Sequence, residues 1–233
     1  MDVLILCGGR GTRLNGERPK PLIEIGGRPI VWHVVSIYAA QGFRRFLLLT
    51  GYQGSAIADW ADAAPWPEGV HVECVDTGLD TPTGGRVHRV RERLTDPFCL
   101  TYADGVADID LGALRARHER AGALATMTVV RPELPFGVAQ LDGDDRVRGF
   151  REKPVADEWV NGGFFVLEPG APAYLHDDSV LEREPLERLA ADGALAAYRH
   201  TGFWRCLDTA KDAVALEELC AAGVPPWLGR RRV

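Results

Sequence analysis

Apolar runs that alternate with helix-patterned stretches predict an α/β fold, with a mostly parallel sheet covered by helices on both faces. Six runs carry the prediction: Val3 to Cys7, Phe46 to Thr50, Val70 to Val75, Phe98 to Tyr102, Ala125 to Arg131 and Val160 to Leu167. They are continuous rather than alternating in polarity, as in strands buried on both sides. A glycine-rich, basic turn directly follows the first run, and the 233 residues suffice for one sizeable core, read here as a single domain over 1–233.

The intervening segments justify the helices in chain order. Pro29 opens a helix through Ile30, Val31, Val34, Val35, Ile37 and Tyr38, and Gly42 closes it. Asp110 is a natural N-cap for Leu111 to Arg120, and Gly122 is the terminating glycine. Pro185 to Ala191 and Thr209 to Ala221 repeat the pattern as a small C-terminal β/α extension. Upstream of both, Gly137 to Leu141 and Val147 to Phe150 flank Asp142-Gly143-Asp144-Asp145 and read as a hairpin. That hairpin is expected to make the sheet mixed.

Bulk properties narrow the function classes. The net charge of −6 gives no general attraction to nucleic acid or to an anionic membrane, so neither is expected as a partner and any anion site must be local. No apolar run reaches the length of a membrane span, and the first strand begins too early for a leader peptide. A cytoplasmic protein is expected. The five cysteines are odd in number and scattered, without a Cys-x-x-Cys pair, and read as reduced core residues.

Ligands of open α/β sheets bind at the carboxyl ends of strands, so the residues just after each apolar run are the places to look. The first is Gly8-Gly9-Arg10-Gly11-Thr12-Arg13, with Lys20 downstream in Pro19-Lys20-Pro21. Backbone amides and cations in such a turn can surround a polyphosphate. Lys20 lies too far along for a P-loop, and Leu14 stands where a dinucleotide fingerprint needs a small residue. The second is Ala103-Asp104-Gly105, where a strand-end Asp can hold Mg²⁺ or simply make a turn. The third pairs Glu152-Lys153-Pro154 with Asn161-Gly162-Gly163, a hydroxyl acceptor and a cation beside a backbone that allows close approach. The fourth is Asp208, after Trp204-Arg205-Cys206-Leu207, which can serve a metal or N-cap the last helix.

Taken in order, these motifs resemble the sugar-1-phosphate nucleotidyltransferases. Within that family the resemblance is to the glucose-1-phosphate cytidylyltransferase branch. It is carried further by Ile25-Gly26-Gly27-Arg28-Pro29, Asp76-Thr77-Gly78, Thr81-Pro82-Thr83-Gly84-Gly85-Arg86, Thr101-Tyr102-Ala103-Asp104-Gly105 and His200-Thr201-Gly202-Phe203-Trp204, and spans nearly the whole chain. The resemblance implies a Rossmann-like nucleotidyltransferase fold and transfer of CMP from CTP to a sugar 1-phosphate, with glucose 1-phosphate as the first candidate. It implies that Gly8, Gly9, Gly11, Thr12 and Arg13 wrap the nucleotide, with Thr81, Arg86 and Ala103 beside it. Lys20 would contact the reacting phosphates, Arg13 the leaving pyrophosphate, and Asp104 and Asp208 a Mg²⁺ ion. Glu152, Lys153, Asn161, Gly162 and Gly163 would hold the sugar phosphate. A homo-oligomer is expected. UTP, dTTP or GTP in place of CTP, an unusual sugar or cyclitol phosphate, and a non-catalytic nucleotide-sensing subunit remain open. So does a glycosyltransferase using Asp108-Ile109-Asp110.

Overall fold

The computed structural model describes residues 1–11 and 18–229. In chain order the first half runs β1 (Val3–Leu6), β2 (Glu24–Ile25), β3 (Arg28–Pro29), α1 (Ile30–Ala39), β4 (Arg45–Thr50), α2 (Gly54–Ala63), β5 (His71–Asp76), α3 (Thr83–Arg89), β6 (Phe98–Tyr102) and β7 (Gly105–Ala107). The second half runs α4 (Leu111–Ala121), β8 (Ala125–Val130), β9 (Val138–Leu141), β10 (Val147–Arg151), β11 (Val160–Leu167), α5 (Glu184–Ala191), β12 (Leu195–Arg199), β13 (Trp204–Cys206) and α6 (Ala210–Ala221).

Seven strands form the central sheet in the order β12-β8-β11-β6-β1-β4-β5. Pairings from β6 through β1 and β4 to β5 are parallel, as is β12 with β8, while β11 runs antiparallel to both β6 and β8. The pleat divides each central strand between two cores. Val3, Ile5, Phe46, Leu48, Phe164 and Val166 face α1, α2 and α4 on one side. Leu4, Leu6, Leu47, Leu49, Phe165 and Leu167 face α3 and α5 on the other. Both faces are apolar, which is why the runs show no alternation in the sequence.

The sheet is mixed for a reason other than the one expected. The β9–β10 hairpin forms, but it pairs only with itself and stands apart from the central sheet. Leu141, Val147 and Phe150 on it are exposed, so it lacks the second apolar layer that would draw it into the core. The antiparallel strand is β11. No helix intervenes between β8 and β11, and a parallel return requires a crossover.

The predicted caps hold at α4: Asp110 accepts from the backbone N–H of Ala113, and Gly122 takes a left-handed φ of 58°. Helices α2 and α3 went unread in the sequence. Only Ile57 and Ala61 of α2 are fully buried, too sparse a stripe to show a period. Helix α3 carries Gly84 and Gly85, poor helix formers, because the backbone at Asp177–Ser179 packs against them.

Candidate active site

The turn after β1 opens a cavity of about 400 Å³ at the carboxyl edge of the sheet. Gly8, Gly9 and Gly11 form one wall, Thr81, Thr83 and Arg86 a second, and Tyr102, Ala103 and Asp104 a third, with Lys20 and Asp208 closing it. Nine of the sequence-predicted site residues therefore converge: Gly8, Gly9, Gly11, Lys20, Thr81, Arg86, Ala103, Asp104 and Asp208. Thr12 and Arg13 lie outside the described residues.

Glycine is required at specific points of this wall. Gly11 has φ +57°, and a Cβ there would stand 2.9 Å from the Cβ of Lys20, so the turn and the lysine touch. At Gly8 a methyl group would overlap the Arg86 guanidinium, and at Gly51 a Cβ would stand 2.5 Å from its Nη1.

Arg86 is 4% exposed, and its guanidinium donates to Thr50 O at 2.6 Å, Thr77 Oγ1 at 2.7 Å, Gly78 O at 2.9 Å and Gly8 O at 3.0 Å. Burial draws its pKa down, and the nearby Asp76 opposes that shift. With most of its donors engaged by the protein, Arg86 shapes the cavity by tying the carboxyl ends of β1 and β4 to the segment after β5.

The acidic pair is brought together by the β7–β13 ladder. Gly105 pairs with Cys206, and the Leu207 N–H donates to Asp104 O at 2.9 Å, which sets Asp208 beside Asp104. Lys20 Nζ donates to Asp208 Oδ1 at 2.7 Å and also to Asp104 Oδ2. Burial alone would lower the Lys20 pKa, but the Asp104 charge and the two carboxylate hydrogen bonds outweigh it and raise the pKa. One oxygen from each carboxylate and Cys206 Sγ all lie within 4.8 Å of one another. Burial raises the Cys206 thiol, and the neighbouring aspartates raise it further.

Asp208 does not cap α6. Thr209 accepts from the Asp212 N–H at 3.2 Å while Asp212 Oδ2 accepts from the Thr209 N–H at 2.8 Å, a reciprocal capping box that leaves the Asp208 carboxylate to Lys20. Two oxygen donors around one cationic group suit a hard divalent ion: the ammonium stands where the donor set would hold one.

The sugar-side candidates are placed differently. Glu152 and Lys153 are exposed at the end of β10 and do not line the cavity. Asn161 donates through Nδ2 to the Tyr102 hydroxyl at 3.2 Å and accepts from the Gly163 N–H at 2.9 Å. Gly162 and Gly163 form a bulge in β11, with φ +73° at Gly163, so this segment backs the Tyr102 wall.

Among the lining residues without a predicted role, Tyr102 and Thr83 carry hydroxyls into the cavity. Both hydroxyls donate to Glu182, at 2.6 and 2.7 Å. Thr83 sits in the quoted Thr-Pro-Thr-Gly-Gly-Arg segment and Tyr102 directly precedes Ala103-Asp104, the signal that could have found them. Nothing local points to Glu182.

Comparison with known proteins agrees with this geometry. Residues 2–204 match the nucleotidyl transferase family. The chain is 39% identical to the glucose-1-phosphate cytidylyltransferase of Salmonella typhi, over 97% of this chain and 98% of that one. It is 38% identical to the probable glucose-1-phosphate cytidylyltransferase of Bacillus subtilis, over 97% and 99% respectively. Among solved structures it is similar in fold to HddC from Yersinia pseudotuberculosis, with a TM-score of 0.74 and 23% identity over 93% of this chain and 98% of that one. The glycine turn, the paired aspartates and the full-length similarity have one reading: the chain belongs to the nucleotidyl transferase family.

Proposed function

We propose that this protein transfers CMP from CTP to a sugar 1-phosphate, with glucose 1-phosphate the first candidate, forming a CDP-sugar and pyrophosphate. The observation that carries the proposal is Lys20 held between Asp104 and Asp208 at the edge of a glycine-walled cavity. Supporting it are relatives near 39% identity, named as glucose-1-phosphate cytidylyltransferases, that match the chain along nearly its whole length.

In this reading the sugar phosphate oxygen forms a bond to the α-phosphorus as the bond to the β-phosphate oxygen breaks, and pyrophosphate leaves with the electron pair. Positioning and charge neutralisation suffice, without a covalent nucleophile. The Gly8–Gly11 backbone wraps the triphosphate, and the sequence resemblance assigns Thr12 to the nucleotide and Arg13 to the leaving pyrophosphate. Arg86 keeps the wall at Gly8 and Gly78 in shape. Lys20 neutralises the reacting phosphates. Asp104 and Asp208 would hold Mg²⁺, which would offset charge on the α-phosphate. Tyr102, Asn161 and the Gly162-Gly163 bulge support a sugar-phosphate side at the Tyr102 wall, while Glu152 and Lys153, exposed outside the cavity, are assigned to the sugar phosphate by the sequence resemblance alone.

All five cysteines are free thiols, which supports a reducing, cytoplasmic location. Among the described residues no helix is long and apolar enough to cross a membrane. The exposed Phe136, Leu141, Val147 and Phe150 around the hairpin support self-association into a homo-oligomer.

Pyrophosphate release is the direct test, with Mg²⁺, glucose 1-phosphate and each of CTP, UTP, dTTP, GTP and ATP. CTP-selective release that falls by roughly 10² to 10³ in Asp104→Asn is the expected result. Selectivity for another nucleotide retains the mechanism and overturns the base. Silence with a panel of sugar phosphates overturns the reading.

A further inference from the structure

The geometry points to Lys20 as an internal counter-ion that competes with the divalent cation, keeping the carboxylates of Asp104 and Asp208 closed to metal until a triphosphate draws the ammonium away. This rests on the reading of those two aspartates as the metal-binding pair.

Oxygens of both carboxylates are hydrogen-bonded to one ammonium, at 2.7 Å for Asp208. A divalent ion bound by the same two oxygens would need ligand distances of about 2.0 to 2.6 Å. It would occupy the space of Nζ, so cation and ammonium cannot share those two oxygens. Two carboxylates this close repel one another when no positive group lies between them. The Asp104 side chain is 21% exposed and that of Asp208 45%, so solvent screens that repulsion only in part. Lys20 therefore does for the empty cavity what a metal ion does for the loaded one.

The same lysine has somewhere to go. Lys20 and Gly8, Gly9 and Gly11 line one cavity, and the Lys20 side chain packs closely enough on Gly11 that a Cβ there would stand 2.9 Å from its own Cβ. Phosphates held by that turn offer the ammonium a second set of anionic oxygens within the cavity. As Nζ turns to them, the aspartate oxygens become available to the cation. Metal and nucleotide then load cooperatively, and free metal binds poorly. A purely structural tie between the loop and β7 would have no such consequence.

Binding of Mn²⁺ to the intact protein without nucleotide, followed by electron paramagnetic resonance, tests this. Lys20→Met is expected to tighten Mn²⁺ binding on the order of tenfold, within the usual range of site-to-site coupling. Lys20→Arg keeps the charge and is expected to bind Mn²⁺ as weakly as wild type. Because Lys20→Met removes the ammonium between the two carboxylates, its melting temperature is also expected to rise more with added Mn²⁺ than that of wild type. Equal or weaker binding by Lys20→Met overturns the inference while the metal site itself stands. Adding Asp104→Asn to Lys20→Met is expected to abolish the gain. If the gain persists, the ion sits elsewhere, and the inference falls together with the metal reading.

Discussion

Substituting Gly8 with Ala puts a methyl group into the Arg86 guanidinium, and the cost is set by what that group must give up. An arginine tip can normally move aside. Here it is buried and bonded to Thr50 O, Thr77 Oγ1, Gly78 O and Gly8 O at 2.6 to 3.0 Å, so displacement leaves carbonyls unpaired and takes a charge from its partners. Breaking a buried charged network typically costs about 3 to 5 kcal/mol, and Gly8→Ala is expected in that range. Arg86→Ala removes the same bonds and is expected to cost about 3 kcal/mol. In the Arg86→Ala background the new methyl meets no guanidinium, so Gly8→Ala should then cost under about 1 kcal/mol. The double-mutant cycle therefore predicts a coupling of roughly 2 to 5 kcal/mol, read from urea unfolding of the four proteins by tryptophan fluorescence. Additivity within about 0.5 kcal/mol would refute the claim that Gly8 is needed for Arg86.

Two further outcomes follow from burial. Gly85→Ala drives a methyl into the Asp177 carbonyl, whose carbon would lie 2.9 Å away, and a backbone neighbour cannot swing aside. A loss of about 3 kcal/mol is expected, and a thermal melt within a degree of wild type would contradict it. Burial raises the Cys99 thiol to about 12, so between pH 9 and that value the unfolded chain loses a proton that the native one keeps. Stability from this group is intact below pH 9 and declines as pH rises, by about 1.4 kcal/mol at pH 10. Cys99→Ser should show a shallower alkaline decline in urea midpoint, and parallel profiles would exclude the effect.

Legibility differed with the range of the interaction. Phe98–Tyr102 and Val160–Leu167 were read to the residue because an apolar run bounded by turn residues is a local signal. The Asp110 cap was legible for the same reason. The Thr209–Asp212 capping box was equally local, yet Asp208 stood in front of it as a plausible cap; only the three-dimensional partner of Asp208 separates the two. The glycines of α3 argue against a helix until the Asp177–Ser179 backbone is seen beside them.

By itself the sequence determined six of the seven central strands, helices α1, α4, α5 and α6, where a polyphosphate-suited turn must sit, and which charged residues are candidates for chemistry. These follow from hydrophobic period, turn chemistry and motif order, all written over a few neighbouring residues. Tertiary structure alone decided that Lys20 meets Asp104 and Asp208, 84 and 188 residues away, that Arg86 is consumed in holding the cavity wall, and that the hairpin stays outside the sheet. Those outcomes depend on strand order, on the β7–β13 ladder and on which apolar faces find a partner. No local pattern encodes them, because each is a competition between distant groups for the same hydrogen bonds or the same buried space.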